Sequence, residues 1–154
     1  MLLVIVALLA SLLSLSCAQN FDHAHCGLTW QATVSCSKFI GFLAKEITAF
    51  SCTVCQEKNY TMVARTNTTI TALHTTPVAK YVDDLSFTAT QSGASCSVDA
   101  FSISRTLSLY DYSTNFCSLF NLMRAFPSTV TYTTTLGNDQ GGCPWHDQTM
   151  CDKY

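Results

Sequence analysis

Charge is what this chain has least of. Only 12% of its 154 residues are Asp, Glu, Lys or Arg, with 8 basic against 10 acidic and a net charge of −2. Ordinary soluble domains carry about 25%. So weak a field excludes a basic nucleic-acid-binding module, an acidic tail protein and a charge-driven disordered chain. Repeats, linkers and low-complexity stretches are missing too, which leaves one domain. No Gly-x-Ser-x-Gly elbow is present, and His23, His25, His74 and His146 are the only histidines a hydrolase could draw on. Serine and threonine fill the polar positions instead, with 13 Ser and 21 Thr after residue 18. Threonine is β-branched and suits the exposed face of a sheet.

The first residues read as an address. Met1 to Ala10 is unbroken apolar sequence, extended by Leu12, Leu13 and Leu15, and it lacks any Lys or Arg. Ser16 and Ala18 are the small residues a signal peptidase requires before its cut, so residues 1–18 are expected to be removed and 19–154 to form one secreted, cysteine-rich domain starting at Gln19. The run is short for a membrane span and lacks a basic flank, so no span is expected after the signal is removed.

Cysteine parity agrees with secretion. The cut removes Cys17 from nine cysteines and leaves Cys26, Cys36, Cys52, Cys55, Cys96, Cys117, Cys143 and Cys151. An even set in an extracellular domain reads as four disulfides, whose pairing the spacing does not give. Cys143 and Cys151 are near enough to close a small C-terminal loop. Two sequons, Asn59-Tyr60-Thr61 and Asn67-Thr68-Thr69, are candidate glycosylation sites.

Periodicity predicts an α+β fold: a mainly antiparallel, curled sheet packed with one N-terminal helix at about 37–50. Phe39, Ile40, Leu43, Ile47 and Phe50 recur at helical spacing, with Ser37 placed as an N-cap. Residues 19–36 show no clear period. Alternation then predicts strands through Tyr60, Met62 and Ala64, through Ile70 and Ala72, and through Leu85, Phe87 and Ala89. Gln91-Ser92-Gly93-Ala94 is a hairpin turn. The returning strand carries Cys96, Val98 and Ala100, then changes phase to Phe101 and Ile103, which predicts a bulge near Ala100-Phe101. Residues 115–126 fit a strand or a short helix ended by Pro127, and the helix is preferred. Val130 to Leu136 reads as a last strand, Gly137 to Gly142 as a loop, and the tail as irregular sequence held by its cysteines.

Candidate chemistry is sparse. Asp22, His23, His25, His146 and Asp147 could contribute to a metal site, but no third His stands at ligand spacing, so no metal and no cofactor is expected. Cys52-Thr53-Val54-Cys55 has redox spacing but follows a helix rather than opening one, so structural disulfides are preferred. His74 with Asp83 or Asp84 and a serine is the hydrolase option. Asp83, Asp84, Asp99 and Asp111 are the carboxylates a glycosidase would need, although Asp83-Asp84 reads more simply as a solvated strand start. Trp30 and Trp145 read as core or disulfide-covering residues. Tyr110-Asp111-Tyr112, with Asn115 close behind, sets aromatic rings beside hydrogen-bonding groups, so Tyr110, Asp111, Tyr112 and Asn115 are the candidate binding residues; the competing reading, which the sequence favours slightly, is a strand-to-helix junction whose rings pack in the core.

Three fragments resemble parts of lipocalins. Asn20-Phe21-Asp22 with Gly27-Leu28-Thr29-Trp30 is similar to that family's N-terminal region, Tyr110-Asp111-Tyr112 to its Thr-Asp-Tyr corner, and Arg124 to its late arginine. The Gly-to-Trp gap is one residue longer than in that family, and the corner lacks its Thr. The resemblance implies a small β-barrel holding an apolar ligand.

The expected function is therefore that of a secreted, disulfide-rich, glycosylated extracellular binding protein. It would be non-catalytic, with a small apolar ligand or an extracellular protein as partner, no nucleic acid, and no membrane span after signal removal. The alternatives are a protease inhibitor or matrix component, and a small secreted hydrolase using His74.

Overall fold

The computed structural model describes residues 23–51, 59–108, 110, 112–127, 130–134, 143 and 146–154. The expected signal peptide, Asn20 to Asp22, Cys52, Cys55, Asp111, the 137–142 loop and Trp145 lie outside the described residues.

The elements run β1 (His25–Ala32), α1 (Cys36–Ala49), β2 (Asn59–Arg65), β3 (Thr69–Thr75), β4 (Val82–Ser92), β5 (Ser95–Ser104), α2 (Thr114–Arg124), β6 (Val130–Thr134) and a short 3-10 helix, Gln148–Lys153. The strands form one antiparallel sheet in the order β2-β3-β4-β5-β1-β6. Helix α1 carries the chain from β1 to the far edge, and α2 returns it from β5 to β6 on the other side of β1. The fold is α+β. It is not a barrel, because β2 and β6 end the sheet at opposite edges, and the lipocalin expectation falls with that.

Helix α1 forms where its period requires, burying Phe39, Ile40, Leu43, Ala44 and Ile47 on one stripe. Its N-cap is Ser35 rather than Ser37, and no side-chain hydroxyl caps it. The side chain of Gln91 on β4 does part of that work, since Oε1 accepts the Cys36 N–H at 2.7 Å. Gln91 Nε2 meanwhile donates to the carbonyls of Gly93 and Ser95 and closes the β4–β5 turn. Gly93 sits at φ +57°, where a residue without Cβ is favoured. The predicted hairpin stands there.

Helix α2 confirms the helical alternative for 115–126 and stops before Pro127, whose ring cannot continue it. The strand β1 is the element the sequence hid. Its Cys26, Leu28, Trp30 and Ala32 point inward, on a strand paired on both sides, with β5 and β6. The expected bulge near Ala100 is absent, because Phe101 pairs with Gly27 and Ser86 in unbroken register. The register shift lies instead between Met62 and Ala64 on β2.

Directly paired residues share a face, so the inner face can be read in rows across the sheet. Ala89, Val98, Trp30 and Tyr132 make one row, and Ile70, Phe87, Ala100 and Leu28 the next. These rows are apolar and lie under the helices, with the Trp30 ring 5.5 Å from Phe87 and 6.1 Å from Phe39. Each large side chain buried there is worth about 1.5–3 kcal/mol. The outer face carries Thr69, Thr71, Ser86, Thr88, Thr90, Ser97 and Thr29, which is where much of the threonine goes.

Three disulfides are present among the described residues: Cys26–Cys143, Cys36–Cys96 and Cys117–Cys151. The small loop expected from Cys143 pairing with Cys151 does not form. Cys143 reaches back to β1 and Cys151 to α2, so the tail is stapled across the helical layer. Asn121 adds to this, donating through Nδ2 to the carbonyls of Cys151 at 3.0 Å and Tyr154 at 2.7 Å.

Candidate ligand-binding cleft

At one end of the inner face the rows turn polar. Tyr60, His74, Asp83 and Ser104 stand in line on β2, β3, β4 and β5, each directly paired with the next, and all are buried. Asp83 is only 1% exposed, so it is not the solvated strand start its sequence suggests; Asp84 beside it is the solvated one. The row is wired together. Ser104 Oγ donates to Asp83 Oδ1 at 2.8 Å, His74 Nδ1 faces Asp83 Oδ2 at 3.4 Å, and the Tyr60 and His74 rings lie 4.7 Å apart. Tyr60 donates its hydroxyl to the Ser118 carbonyl of α2 at 2.8 Å. Next to it, Ser102 Oγ donates to Asn115 Oδ1 at 2.6 Å and accepts from Ser118 Oγ at 3.1 Å.

Burial, reinforced by the neighbouring Asp83 carboxyl, pushes the Tyr60 phenol well above its ordinary range. A raised folded value means that its stabilisation is complete below about pH 10, the ordinary phenol range, and is lost as pH rises above it. Alkaline titration followed at 295 nm is expected to leave Tyr60 protonated until the fold itself gives way. Simple ionisation of all six tyrosines before unfolding would contradict this.

Beyond the polar row opens a cleft of about 420 Å³, lined by residues of the loop from Thr76 to Tyr81, by described residues between Ser104 and Thr114, and by Lys153 and Tyr154. The first wall is a loop pinned at its neck. Thr76 N–H donates to the Tyr81 carbonyl at 2.8 Å, and Tyr81 N–H donates to Thr76 Oγ1 at 2.9 Å. Pro77 breaks the strand there, and the loop holds out Val78 and the Tyr81 ring. The second wall leaves β5 at Arg105, whose guanidinium makes two bonds to Asp84, at 2.7 and 2.8 Å. Those bonds hold the Asp84 carboxyl below its usual range. The Ser108 hydroxyl then donates to the Tyr110 carbonyl. The wall ends at Tyr112 and Ser113, consecutive residues in left-handed backbone at φ 49° and 72°. Lys80 on the opposite wall is at φ 58°. Left-handed backbone is uncommon outside glycine and costs of order 1 kcal/mol per residue. Among the described residues these three are the non-glycine residues in left-handed backbone, and all lie on the cleft's walls or beside them.

Seven large hydrophobic residues are exposed among the described residues, and Val78, Tyr81, Leu107, Tyr110 and Tyr112 of these line the cleft. Two binding candidates from the sequence, Tyr110 and Tyr112, are therefore brought together here. Asn115 is not. It is fully buried under the first turn of α2, where Nδ2 donates to the Ala24 carbonyl at 3.1 Å. Tyr81, Leu107 and Tyr154 were missed because only the topology brings their segments together.

The other chemical candidates are placed differently. His74, Asp83 and a serine do meet, yet the serine bonds the carboxylate rather than the imidazole, and the ring is sealed from solvent. Nucleophile activation needs the imidazole in the middle. His23 Nδ1 donates to the Ser104 carbonyl, His25 Nδ1 to that of His23 and His146 Nδ1 to that of Cys143. Among the described residues no three His, Cys, Asp or Glu side chains are grouped to hold a metal. Asp147 caps the 3-10 helix and is held below its usual range by the Thr149 hydroxyl and N–H. Asp99 accepts from Thr29 on the outer face. Asn59 is half-buried at the start of β2, and Asn67 is exposed in the β2–β3 turn. No helix among the described residues is long and apolar enough to cross a membrane.

Fold and cleft together define a disulfide-stapled α+β protein with one sheet, a helical layer and an aromatic cleft at the sheet's end. The chain belongs to the DUF1499 family, described as proteins of unknown function, whose model matches residues 22–126. No curated protein and no solved structure matches it at a significant level. The matched span holds β1 to β5, both helices, the polar row and the first two cleft walls. The tail that closes the cleft lies outside it.

Proposed function

We propose that this is a secreted, non-catalytic binding protein whose cleft takes a small, mainly apolar ligand. The observation that carries the reading is the concentration of exposed Tyr81, Tyr110, Tyr112, Leu107 and Val78 around a single hollow of about 420 Å³. Ligand pockets commonly enclose about 300–1,000 Å³ behind aromatic and aliphatic walls with a few polar groups. Exposed apolar surface of this kind is uncommon unless something binds there. Tyrosine rings offer large contact area at little conformational cost, and the left-handed residues fix where they stand. The apolar leader before Gln19 and the stapled fold favour an extracellular site of action. Glycosylation at the exposed Asn67, and at Asn59, belongs to the same reading.

The test uses the full chain expressed in eukaryotic cells. Recovery from the medium with Gln19 as first residue tests the address. Titration with the fluorescent probe N-phenyl-1-naphthylamine tests the cleft, and a saturable, one-site rise in emission is expected. The variant L107S/Y110S removes only exposed side chains, so its melting temperature should stay near wild type while affinity falls at least about tenfold. Val63→Ser, on the far edge strand, should change neither. Probe binding that ignores L107S/Y110S, or an absence of saturable binding, would overturn the reading.

A further inference from the structure

The cleft has an apolar wall but a polar floor. Of the described residues that line it, only Thr76 and Ser104 are buried, at 3% and 8% exposure. Ser104 is the point where the buried row of β2 to β5 reaches the cleft. Its backbone is already committed, because the N–H donates to the Ala24 carbonyl at 2.9 Å and the carbonyl accepts from His23 Nδ1 at 2.8 Å. Its side chain lies on the inner face in line with Asp83, so the hydroxyl is the polar group of Ser104 left to offer a ligand at the floor.

That side chain has a fixed polarity. A serine hydroxyl has one proton and two lone pairs. The proton is spent on Asp83 Oδ1, and Asp83 is held from its other oxygen by His74 Nδ1, so the hydroxyl is not free to rotate towards a ligand. What remains to face the cleft is the lone pairs. Chains of hydrogen bonds polarise one another, and a hydroxyl donating to a carboxyl group becomes the better acceptor for it. The floor is thus an acceptor set in an apolar surround, where an unmatched ligand group is penalised and a matched one is favoured.

Resting on the cleft reading above, we infer that the ligand is an amphiphile with an apolar body and a hydrogen-bond donor, a hydroxyl or an amine, seated on Ser104 Oγ. The aromatic walls hold the body and the Ser104–Asp83–His74 relay selects the donor. Acceptor-only groups of the same size, such as ethers, are disfavoured.

Three probes of one shape separate the terms: 2-naphthol, which can donate, 2-methoxynaphthalene, which can only accept, and 2-methylnaphthalene, which does neither. Titrated into the wild-type protein by fluorescence, 2-naphthol is expected to bind at least about tenfold more tightly than either of the others. In Ser104→Ala that preference collapses, with 2-methylnaphthalene binding at least as tightly as to the wild type because no acceptor is left unmatched, and Ser104→Thr restores the preference. The wild-type comparison stands even where Ser104→Ala fails to fold. Equal binding of all three, still weakened by L107S/Y110S, would overturn the donor assignment and leave the cleft standing. No saturable binding of any of them would overturn both.

Discussion

Asp83→Ala is expected to cost about 2–4 kcal/mol of folding stability, because it removes the acceptor that two neighbouring groups share. The carboxyl group is 1% exposed and satisfies two donors, Ser104 Oγ at 2.8 Å and His74 Nδ1 at 3.4 Å. Alanine leaves the His74 ring without its carboxyl partner away from water and takes the acceptor from Ser104 Oγ at the cleft floor; a buried stranded group costs about 1–3 kcal/mol. Urea denaturation with the disulfides intact should show a lower midpoint at an unchanged slope. A variant that replaces the whole relay with apolar groups, H74L/D83L/S104A, should recover much of the loss, because a buried polar cluster contributes little net stability over a packed apolar one. A loss below about 1 kcal/mol in Asp83→Ala would mean that the row is wetter than its burial indicates. The contrast between the variants is informative about purpose. The Leu28 and Trp30 rows of the same face are apolar, whereas Ser102 and then Ser104 turn the interior polar towards the end where the cleft begins.

The Cys36→Ala/Cys96→Ala double variant is expected to lose about 4 kcal/mol, from the loop-closure entropy of a long cross-link. The bridge spans 60 residues and ties the first turn of α1 to the start of strand β5. Gln91 lies opposite Cys96 and bonds the Cys36 N–H, so the helix start, the hairpin and the disulfide meet at one point. Loss of the bridge should therefore loosen α1 as a unit, with a thermal midpoint lower by more than ten degrees or so. Cys117–Cys151 spans 34 residues and acts elsewhere, holding the tail that brings Lys153 and Tyr154 to the cleft. A Cys36→Ala/Cys96→Ala protein that melts with the wild type would contradict this placement.

Much of the fold was legible in the sequence where one signal dominated. Helix α1 showed its stripe because Phe39, Ile40, Leu43 and Ile47 are large and evenly spaced. The β4–β5 hairpin announced itself through Gly93 between two alternating runs. Strand β1 did not, because Cys26 and Ala32 are weak markers of an inward face and His25 and Gly27 are buried on the other one. The error at Ala100 has a sharper cause. Past that residue the interior of the sheet is serine and its exterior is Phe101 and Ile103, so hydrophobic alternation inverts while the backbone does not. A polar interior row and a phase slip look alike in one strand. They differ only once Ser104 is seen beside Asp83, and that pairing is set by topology. The same limit applies to the cleft: Tyr110 and Tyr112 stood out as a cluster, whereas Tyr81 and Tyr154 joined them only through the fold.

The most direct test of the cleft is where a bound probe sits. Protein carrying isotope-labelled tyrosine side chains, titrated with N-phenyl-1-naphthylamine and followed by NMR, reads each ring separately. Saturable shifts confined to Tyr81, Tyr110, Tyr112 and Tyr154, with buried Tyr60 and strand residue Tyr132 little changed, are the expected result. Shifts spread over all the rings, or none at saturating probe, would mean that the cleft is not a binding site.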